Sequence, residues 1–558
     1  MVSMLILSAA EMQACDRATS ERFGVASIDL MRAAAKAVAA FARAQFPEAL
    51  RVTVLCGAGN NGGDGMMAAR LLADAGLEVA TLLLGAPEKL KGDAAQAWRE
   101  LTTPNHGVQL NVTRAEDLAQ YQGALHSDLM IDAVLGTGFK PPMKGLALAA
   151  YEWIKATTAP VLAIDLPSGW PADETGATVN GPVFPADAVI TFTAPKPAHV
   201  FGQLTRAWHQ PVVVAPIGSP DAAIVSQLKL TWAGSSMRLV QAPRVAVANK
   251  GGFGHVLVVG GSFGSAGGKA GAPAMAALAA LRVGAGLVTA AVPAPALAVV
   301  SVVAPELMTW PLEATPSGSI SDVNLAPERL TAFTAGKSVL AIGPGLGQSP
   351  ETVKFVTGLL AATSIPAVID ADALNILAAK PVLLAKLAKG RTLVLTPHPG
   401  EMARLVGSTV AEVQARRLET ARAFARQFGV TLVLKGARTL IAHPDGRVAV
   451  NTSGNPGMAK AGSGDLLTGM IAGLLAQFPA DAAHAVEAAV YLHGLAGDLA
   501  VREGDEHTLL AVDSLLQLSR AFHIPVSPFR NDGGNGYVWL QALPPDANPA
   551  APSRGASQ

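Results

Sequence analysis

The run Val52-Thr-Val-Leu-Cys56 passes directly into Gly57-Ala-Gly-Asn-Asn-Gly-Gly-Asp-Gly65 and emerges as Met66-Met-Ala-Ala-Arg-Leu-Leu72. An apolar strand-like run, a glycine-rich turn and an Ala/Leu helical stretch in that order commit the backbone to a strand, a tight loop and a helix N-terminus. The succession recurs along the chain. Further strand-like runs lie at 79–84, 129–135, 161–164, 188–192 and 212–215, with helical stretches between most of them and two helical patterns, 9–22 and 27–44, in front. Strands alternating with crossover helices predict a parallel, doubly wound α/β sheet, Rossmann-like in character. The composition agrees: 50% of residues are hydrophobic, 5% aromatic, and 56 Gly and 38 Pro supply the loops.

At 558 residues the chain exceeds what one hydrophobic core holds. Regularity is lost between about residues 218 and 247, and a second strand-Gly-helix series begins at 255–260. It continues through apolar runs at 287–292, 338–342, 367–369, 392–395, 431–434, 439–442 and 448–450. The expected organisation is therefore a first domain over 1–218, a linker over 219–245 and a second α/β domain over 246–525. The Pro-, Asn-, Gly-, Ala- and Ser-rich tail, 526–558, has a composition that reads as disordered.

Charge and cysteine content exclude several classes. The 42 basic residues match the 42 acidic ones, so no overall field favours nucleic acid or an anionic membrane. Cys15 and Cys56 form neither a disulfide framework nor a zinc pattern, which fits a reducing, cytoplasmic setting. The apolar stretch 283–305 is broken by Gly284, Gly286, Pro293 and Pro295 and reads as a buried strand plus a loop rather than a membrane span. Self-association of two α/β units is plausible, with no interface specified.

Three loops in the first half follow predicted strands: Gly57–Gly65, the loop of Ile131-Asp-Ala-Val-Leu-Gly-Thr-Gly138, and Ile164-Asp-Leu-Pro-Ser-Gly169. In an open parallel sheet, loops at the strand carboxyl ends gather over one crevice, where backbone N–H groups at a helix start suit a pyrophosphate. Asp132, Ser168 and the Asn60-Asn61 amides offer hard oxygen ligands, which leaves Asp165 as the free carboxylate. Together these motifs resemble the NAD(P)H-hydrate epimerase family. The resemblance implies that Asn60, Asn61, Gly62, Gly63 and Asp64, with Gly136, Thr137, Gly138, Phe139, Lys140, Pro141 and Pro142, contact a hydrated dinucleotide. It further implies that Asn61, Asp132 and Ser168 hold K+ and that Asp165 is the acid/base group and a substrate contact. One departure is visible: Arg32-Ala33 stands where that family has a Glu-Asn pair.

In the second half, Gly462-Ser-Gly-Asp465 precedes a long Ala/Leu helix, an arrangement in which backbone N–H groups stabilise a phosphoryl group and Asp465 accepts a hydroxyl proton. Gly343–Gly347, Asp370–Asn375, Thr396-Pro-His-Pro-Gly-Glu401 and Leu432–Thr439 are further strand-end loops, and Lys435 and Arg438 are placed to meet phosphates. With Lys250-Gly, Gly260-Gly-Ser262 and Leu281-Arg-Val-Gly-Ala-Gly-Leu287, these resemble the ADP/ATP-dependent NAD(P)H-hydrate dehydratase family, whose fold is ribokinase-like. The resemblance implies that Ala272, Gly345, His398 and Asp465 touch the hydrate and that Asp465 is catalytic. It assigns the nucleotide to Lys435, Gly436, Ala437, Arg438, Thr439 and Gly464, with ADP as co-substrate and Mg2+ as helper. The alternative is a ribokinase-type small-molecule kinase fused to a non-catalytic nucleotide-binding half.

Overall fold

The structure is a computed structural model that describes residues 3–102, 106–264, 267–525 and 536–542. It forms two compact units: residues 4–230 with the segment from Pro525 onward, and Thr231–Ile524 with the first three residues.

In the first unit, α1 (Ala9–Glu21) and α2 (Ser27–Gln45) precede β1 (Arg51–Cys56), α3 (Asn60–Asp74), β2 (Glu78–Leu84), α4 (Gly92–Leu101) and β3 (Val108–Val112). Strands β4 (Leu129–Ala133), β5 (Val161–Ile164), β6 (Ala188–Phe192) and β7 (Val212–Ala215) follow. All seven run parallel in the order β7-β6-β5-β4-β1-β2-β3, so the winding direction reverses between β1 and β4. The inner strands are continuous apolar runs because helices cover both faces: Val54, Leu55, Ile131, Leu162 and Ile190 are fully buried. Helix α1 starts at a capping box in which Ser8 Oγ accepts from the Glu11 N–H and Glu11 accepts from the Ser8 N–H. Helix α2 buries Leu30, Met31, Ala34, Ala35, Val38, Phe41 and Ala42, the stripe a 3.6-residue period lays on one face.

The second unit is a ten-stranded sheet plus a small hairpin. Its strands are β8 (Leu230–Trp232), β9 (His255–Val259), the hairpin β10 (Phe263–Gly264) and β11 (Gly267–Gly268), β12 (Leu287–Pro293) and β13 (Met308–Leu312). They continue with β14 (Val339–Ile342), β15 (Ala367–Ile369), β16 (Leu393–Leu395), β17 (Thr431–Leu434), β18 (Leu440–Ala442) and β19 (Val448–Val450). The order β13-β12-β9-β14-β15-β16-β17-β18-β19-β8 reverses between β9 and β14, and β17 to β19 form an antiparallel meander. The stretch 283–305 is β12 followed by a short helix, Leu297–Ser301. Among the described residues no single helix is long and apolar enough to cross a membrane.

Two expectations about organisation need correction. The segment 219–245 is no irregular linker: it contributes β8, whose Trp232 is buried and donates from Nε1 to Thr452 Oγ1 at 2.8 Å. The tail is not wholly without structure either. Strand β20 (Val538–Gln541) pairs antiparallel with the outer edge of β7, matching Val538 to Val214 and Trp539 to Val213. Tyr537 Oη donates to the Ala37 carbonyl at 3.0 Å, and the Tyr537 and Trp539 rings meet Phe41 of α2 edge-on at 5.4 and 6.1 Å. Those two aromatics supply the apolar burial that composition averaged over the tail conceals. Residues 526–535 and 543–558 lie outside the described residues.

Candidate active sites

The carboxyl ends of β1, β4 and β5 open on a cleft of about 910 Å³ at the point where the first sheet reverses its winding. Its floor requires bare backbone. A Cβ on Gly57 would lie 2.1 Å from the Val134 carbonyl oxygen, and one on Gly62 would lie 1.8 Å from the Gly57 oxygen. Asn60, Asn61 and Asp64 at the start of α3 line the cleft, as do Gly136, Thr137, Gly138 and Phe139 after β4. Gly62 and Gly63 are buried behind them, while Lys140, Pro141 and Pro142 are exposed and stand outside the lining. Asn61 sits beside Gly136, and its Nδ2 is buried without a hydrogen-bond partner among the described residues, a donor oriented for a ligand.

Asp165 does not remain a free carboxylate. Its left-handed φ of 64° turns the side chain back under the cleft, where Oδ1 accepts from Lys196 Nζ at 2.9 Å and Thr191 Oγ1 at 2.8 Å. Oδ2 accepts from the Thr137 N–H at 2.8 Å and from the Thr137 hydroxyl. Burial alone would raise its pKa, but the Lys196 ammonium holds the carboxyl well below the usual carboxylate range. With Lys196 as its partner the Asp165 carboxylate is favoured in its ionised form. Lys196, 2% exposed at its side chain, also donates to Thr191 Oγ1 at 2.7 Å. Behind it the buried His199 bonds the Asp165 carbonyl at 2.7 Å, and burial lowers its pKa to about 4.

Asp132 and Ser168 are joined. Asp132 accepts from Ser168 Oγ at 2.6 Å and from the Ser168 N–H at 2.7 Å. Burial pushes the Asp132 carboxyl up to about 6, against the lowering pull of its Ser168 and Val134 hydrogen bonds. The Arg32-Ala33 departure falls away from the cleft: Arg32 is exposed on α2 and pairs with Glu100 at 2.8 Å and Asp29 at 3.1 Å.

In the second unit the loops after β9, β14 and β15 approach as closely as glycine allows. Cβ atoms on Gly260 and Gly343 would stand 2.3 Å from the Pro344 oxygen and 1.8 Å from the Asp370 oxygen. Gly345 and Ala272 are brought together, with 3.4 Å between an added Cβ and the Ala272 methyl. At the start of the helix Ser463–Gln477, Gly464 faces Lys435 Nζ and Asp370 Oδ2, at 3.4 and 3.9 Å from its Cβ position. Lys435 Nζ pairs with Asp370 Oδ1 at 2.8 Å and approaches Glu401 at 3.9 Å, and Thr468 Oγ1 donates to Asp370 Oδ2 at 2.8 Å. Asp465 has none of these partners. Burial, then the nearby Asp370 charge, raises its carboxyl to about 6. At neutral pH it is a base with appreciable proton affinity, placed where a helix N-terminus favours a transferring phosphoryl group.

His398 is exposed and caps the helix Pro399–Val406, Nδ1 accepting from the Gly400 N–H at 3.0 Å. Through Glu401 it joins the Lys435 network. Gly436, Ala437, Arg438 and Thr439 lie in the β17–β18 turn. The Arg438 guanidinium donates to the Thr452 carbonyl at 2.9 Å, and burial lowers its pKa to about 10. The sequence reading also missed Lys196, Asp16 and the pairing of Asp370 with Lys435. Lys196 follows a fully buried strand in Thr193-Ala-Pro-Lys196-Pro, a setting that marks it as more than a surface charge.

Two family models match the chain: "YjeF-related protein N-terminus" over residues 27–198 and "NAD(P)H-hydrate dehydratase" over residues 256–518. A relative from Moorella thermoacetica named "Bifunctional NAD(P)H-hydrate repair enzyme Nnr" is 43% identical over 92% of this chain and 95% of its own. One of the same name from Escherichia coli is 34% identical over 93% and 94%. A crystal structure of the ADP/ATP-dependent NAD(P)H-hydrate dehydratase from Bacillus subtilis is 33% identical, covering 51% of this chain and 96% of that one, with a TM-score of 0.43.

Proposed function

The chain belongs to the family of bifunctional NAD(P)H-hydrate repair enzymes, and from that premise we propose how each site contributes. The first cleft interconverts the R and S hydrates at C6. The second site dehydrates the S form to NAD(P)H with ADP, giving AMP and phosphate. The observation that carries this reading is the Asp465 carboxyl, raised to about 6 and without an ion pair among the described residues, at the helix start beside the Lys435–Asp370 pair.

In the second site Asp465 takes the proton of the C6 hydroxyl as that oxygen attacks the terminal phosphorus of ADP. The C6–O bond then breaks with phosphate as leaving group, a proton leaves C5, and the new C5=C6 double bond restores the dihydronicotinamide ring. The helix N–H groups at Gly464 and the Lys435 ammonium stabilise the phosphoryl charge. Ala272, Gly345 and His398 contact the hydrate, and the turn Gly436, Ala437, Arg438 and Thr439 borders the nucleotide. Both oxygens of Asp370 are already bonded, so Mg2+ fits best as a companion of the ADP phosphates, whose charge it neutralises.

In the first cleft the hydrated dinucleotide lies over Asn60 to Asp64 and Gly136 to Phe139, with Asp165 opposing positive charge on the ring. Among the described residues no basic side chain pairs with the buried Asp132, and an alkali cation suits that carboxylate. Asp132, Ser168 and Asn61 would hold K+, which supplies charge compensation rather than chemistry. Small molecules are the partners in this reading, in the cytoplasm where the nicotinamide pool lies. The kinase alternative is not favoured, because relatives named for hydrate repair align across both halves.

The test is an R/S mixture of NADH hydrate with the full chain, ADP, Mg2+ and K+, followed by the near-ultraviolet absorbance of reduced nicotinamide. Full recovery is expected. Recovery of the S fraction alone would remove the epimerase assignment, and none with ADP or ATP would remove the dehydratase.

A further inference from the structure

Two prolines flank Lys196, in Pro195-Lys196-Pro197, and the chain turns there into the short helix Pro197–Phe201, which carries His199. The imidazole is fully buried between two backbone groups. The Lys196 N–H donates to Nδ1 at 3.0 Å, and Nε2 lies 2.7 Å from the Asp165 carbonyl oxygen. A backbone N–H cannot accept and a carbonyl cannot donate. Both bonds therefore form in one arrangement only: Nδ1 bare, the proton on Nε2 and the ring neutral. Burial lowers the ring's pKa to about 4, in keeping with that neutral state.

The ring closes a circuit. The Asp165 carboxylate meets Lys196 Nζ at 2.9 Å, the Lys196 backbone N–H meets the imidazole, and the imidazole returns to the Asp165 carbonyl. Asp165 needs such a restraint, because its φ of 64° lies in the left-handed region, which a residue with a side chain keeps only when its surroundings hold it there. The circuit fixes both ends of the residue, main chain and carboxylate, against one lysine. Cys15 and Asp16 on α1 and Asp64 on α3 are the other titratable groups set against Asp165 and Lys196. Among the described residues none of the three bonds to the imidazole.

We propose that His199 is a positioning residue of the first cleft: as its neutral Nε2–H tautomer it ties the Asp165 main chain to Lys196 and so holds the Asp165 carboxylate in one place beside the ring being epimerised. The proposal rests on the epimerase reading of this cleft. When C6 loses its oxygen the nicotinamide ring becomes positive, and an anion stabilises that charge best from a fixed, close position. Asp165 and Lys196 line the cleft, whereas His199 stands behind them, outside the lining, and acts through Asp165.

The test uses the full chain, one purified epimer of NADH hydrate and no ADP, with inversion followed by chromatography. His199→Phe fills the ring's volume without a polar atom and should lower kcat for inversion by about a hundredfold, with KM changed far less. His199→Gln carries an amide N–H toward the Asp165 carbonyl and should recover most of that loss. His199→Asn reaches only the Lys196 N–H and should stay as slow as His199→Phe. Melting temperature, and ADP-dependent dehydration of the S epimer by the same preparations, establish that the variants are folded. In parallel, ¹⁵N NMR of histidine-labelled wild type, with the His199 signals identified by their loss in His199→Gln, should show Nε2 protonated and Nδ1 bare at neutral pH. A proton on Nδ1, inversion at the wild-type rate in His199→Phe, or a folded His199→Gln no faster than His199→Asn overturns the proposal. Should His199→Phe fail to fold, the comparison of the Gln and Asn variants and the tautomer decide. A wild type that does not invert C6 would overturn the epimerase reading instead, while the tautomer would still be read, so the two failures are distinguishable.

Discussion

Each unit buries a lysine–aspartate pair at its site, yet the two pairs do opposite things to the carboxylate beside the chemistry. In the first, Lys196 sits 2.9 Å from Asp165 itself and fixes it as an anion. In the second, Lys435 sits 2.8 Å from Asp370 and leaves Asp465 one position removed, with its carboxyl near 6. A buried cation thus either locks a catalytic-looking carboxylate in one charge state or, by occupying its neighbour, leaves it able to exchange a proton. The residue type is the same; the partner decides.

The strongest way to break this comparison is Asp465→Asn, which should lower ADP-dependent recovery of reduced nicotinamide by about a hundred- to ten-thousand-fold while epimerisation, followed by chromatography, continues. Removing the cations should sharpen it. Lys196→Met leaves Asp165 charged and unpaired, and should destabilise the first unit by about 3–5 kcal/mol in denaturant unfolding. Lys435→Met should cost less, since the Lys435 side chain is 20% exposed against 2% for Lys196.

The pH dependence should separate the sites further. Asp465 acts as a base only when ionised, so dehydration should decline as pH falls through about 6 and level off above it. Asp165, its pKa depressed, stays ionised throughout that window and should impose no such limb. The smallest effect belongs to Arg32→Ala, whose exposed ion pairs are screened by water, and which should leave epimerisation and melting temperature unchanged.

Much of the architecture was legible because the inner strands are uninterrupted apolar runs punctuated by glycine. The runs at 161–164, 188–192, 212–215, 367–369, 431–434 and 448–450 coincide with observed strands. The edges were not. In β13, Met308-Thr-Trp-Pro-Leu312 carries a proline that only an edge strand tolerates, and β3, Val108-Gln-Leu-Asn-Val112, mixes polar residues into its pattern because one side faces water. The site loops were found from their glycines and strand-end positions, but not the partners of their acids. Lys196 and Asp165 are 31 residues apart, and local sequence does not specify which ammonium meets which carboxylate. Asp16, on a helix with polar neighbours, reads as a solvated face until α3 is folded against the same cleft.

The strand at 538–541 imposes an order on biosynthesis. The outer edge of β7 is complete only when residues that follow the second unit have been made. At about 5–20 residues per second, translation of the intervening segment leaves that edge open for roughly 15 to 60 seconds. During that interval Phe41 lacks its two aromatic neighbours and the β7 backbone offers unpaired N–H and C=O groups to any other nascent strand. The first half is therefore synthesised first and finished last, and two separately encoded halves would have no strand 538–541 to close it unless the segment were moved with its sheet.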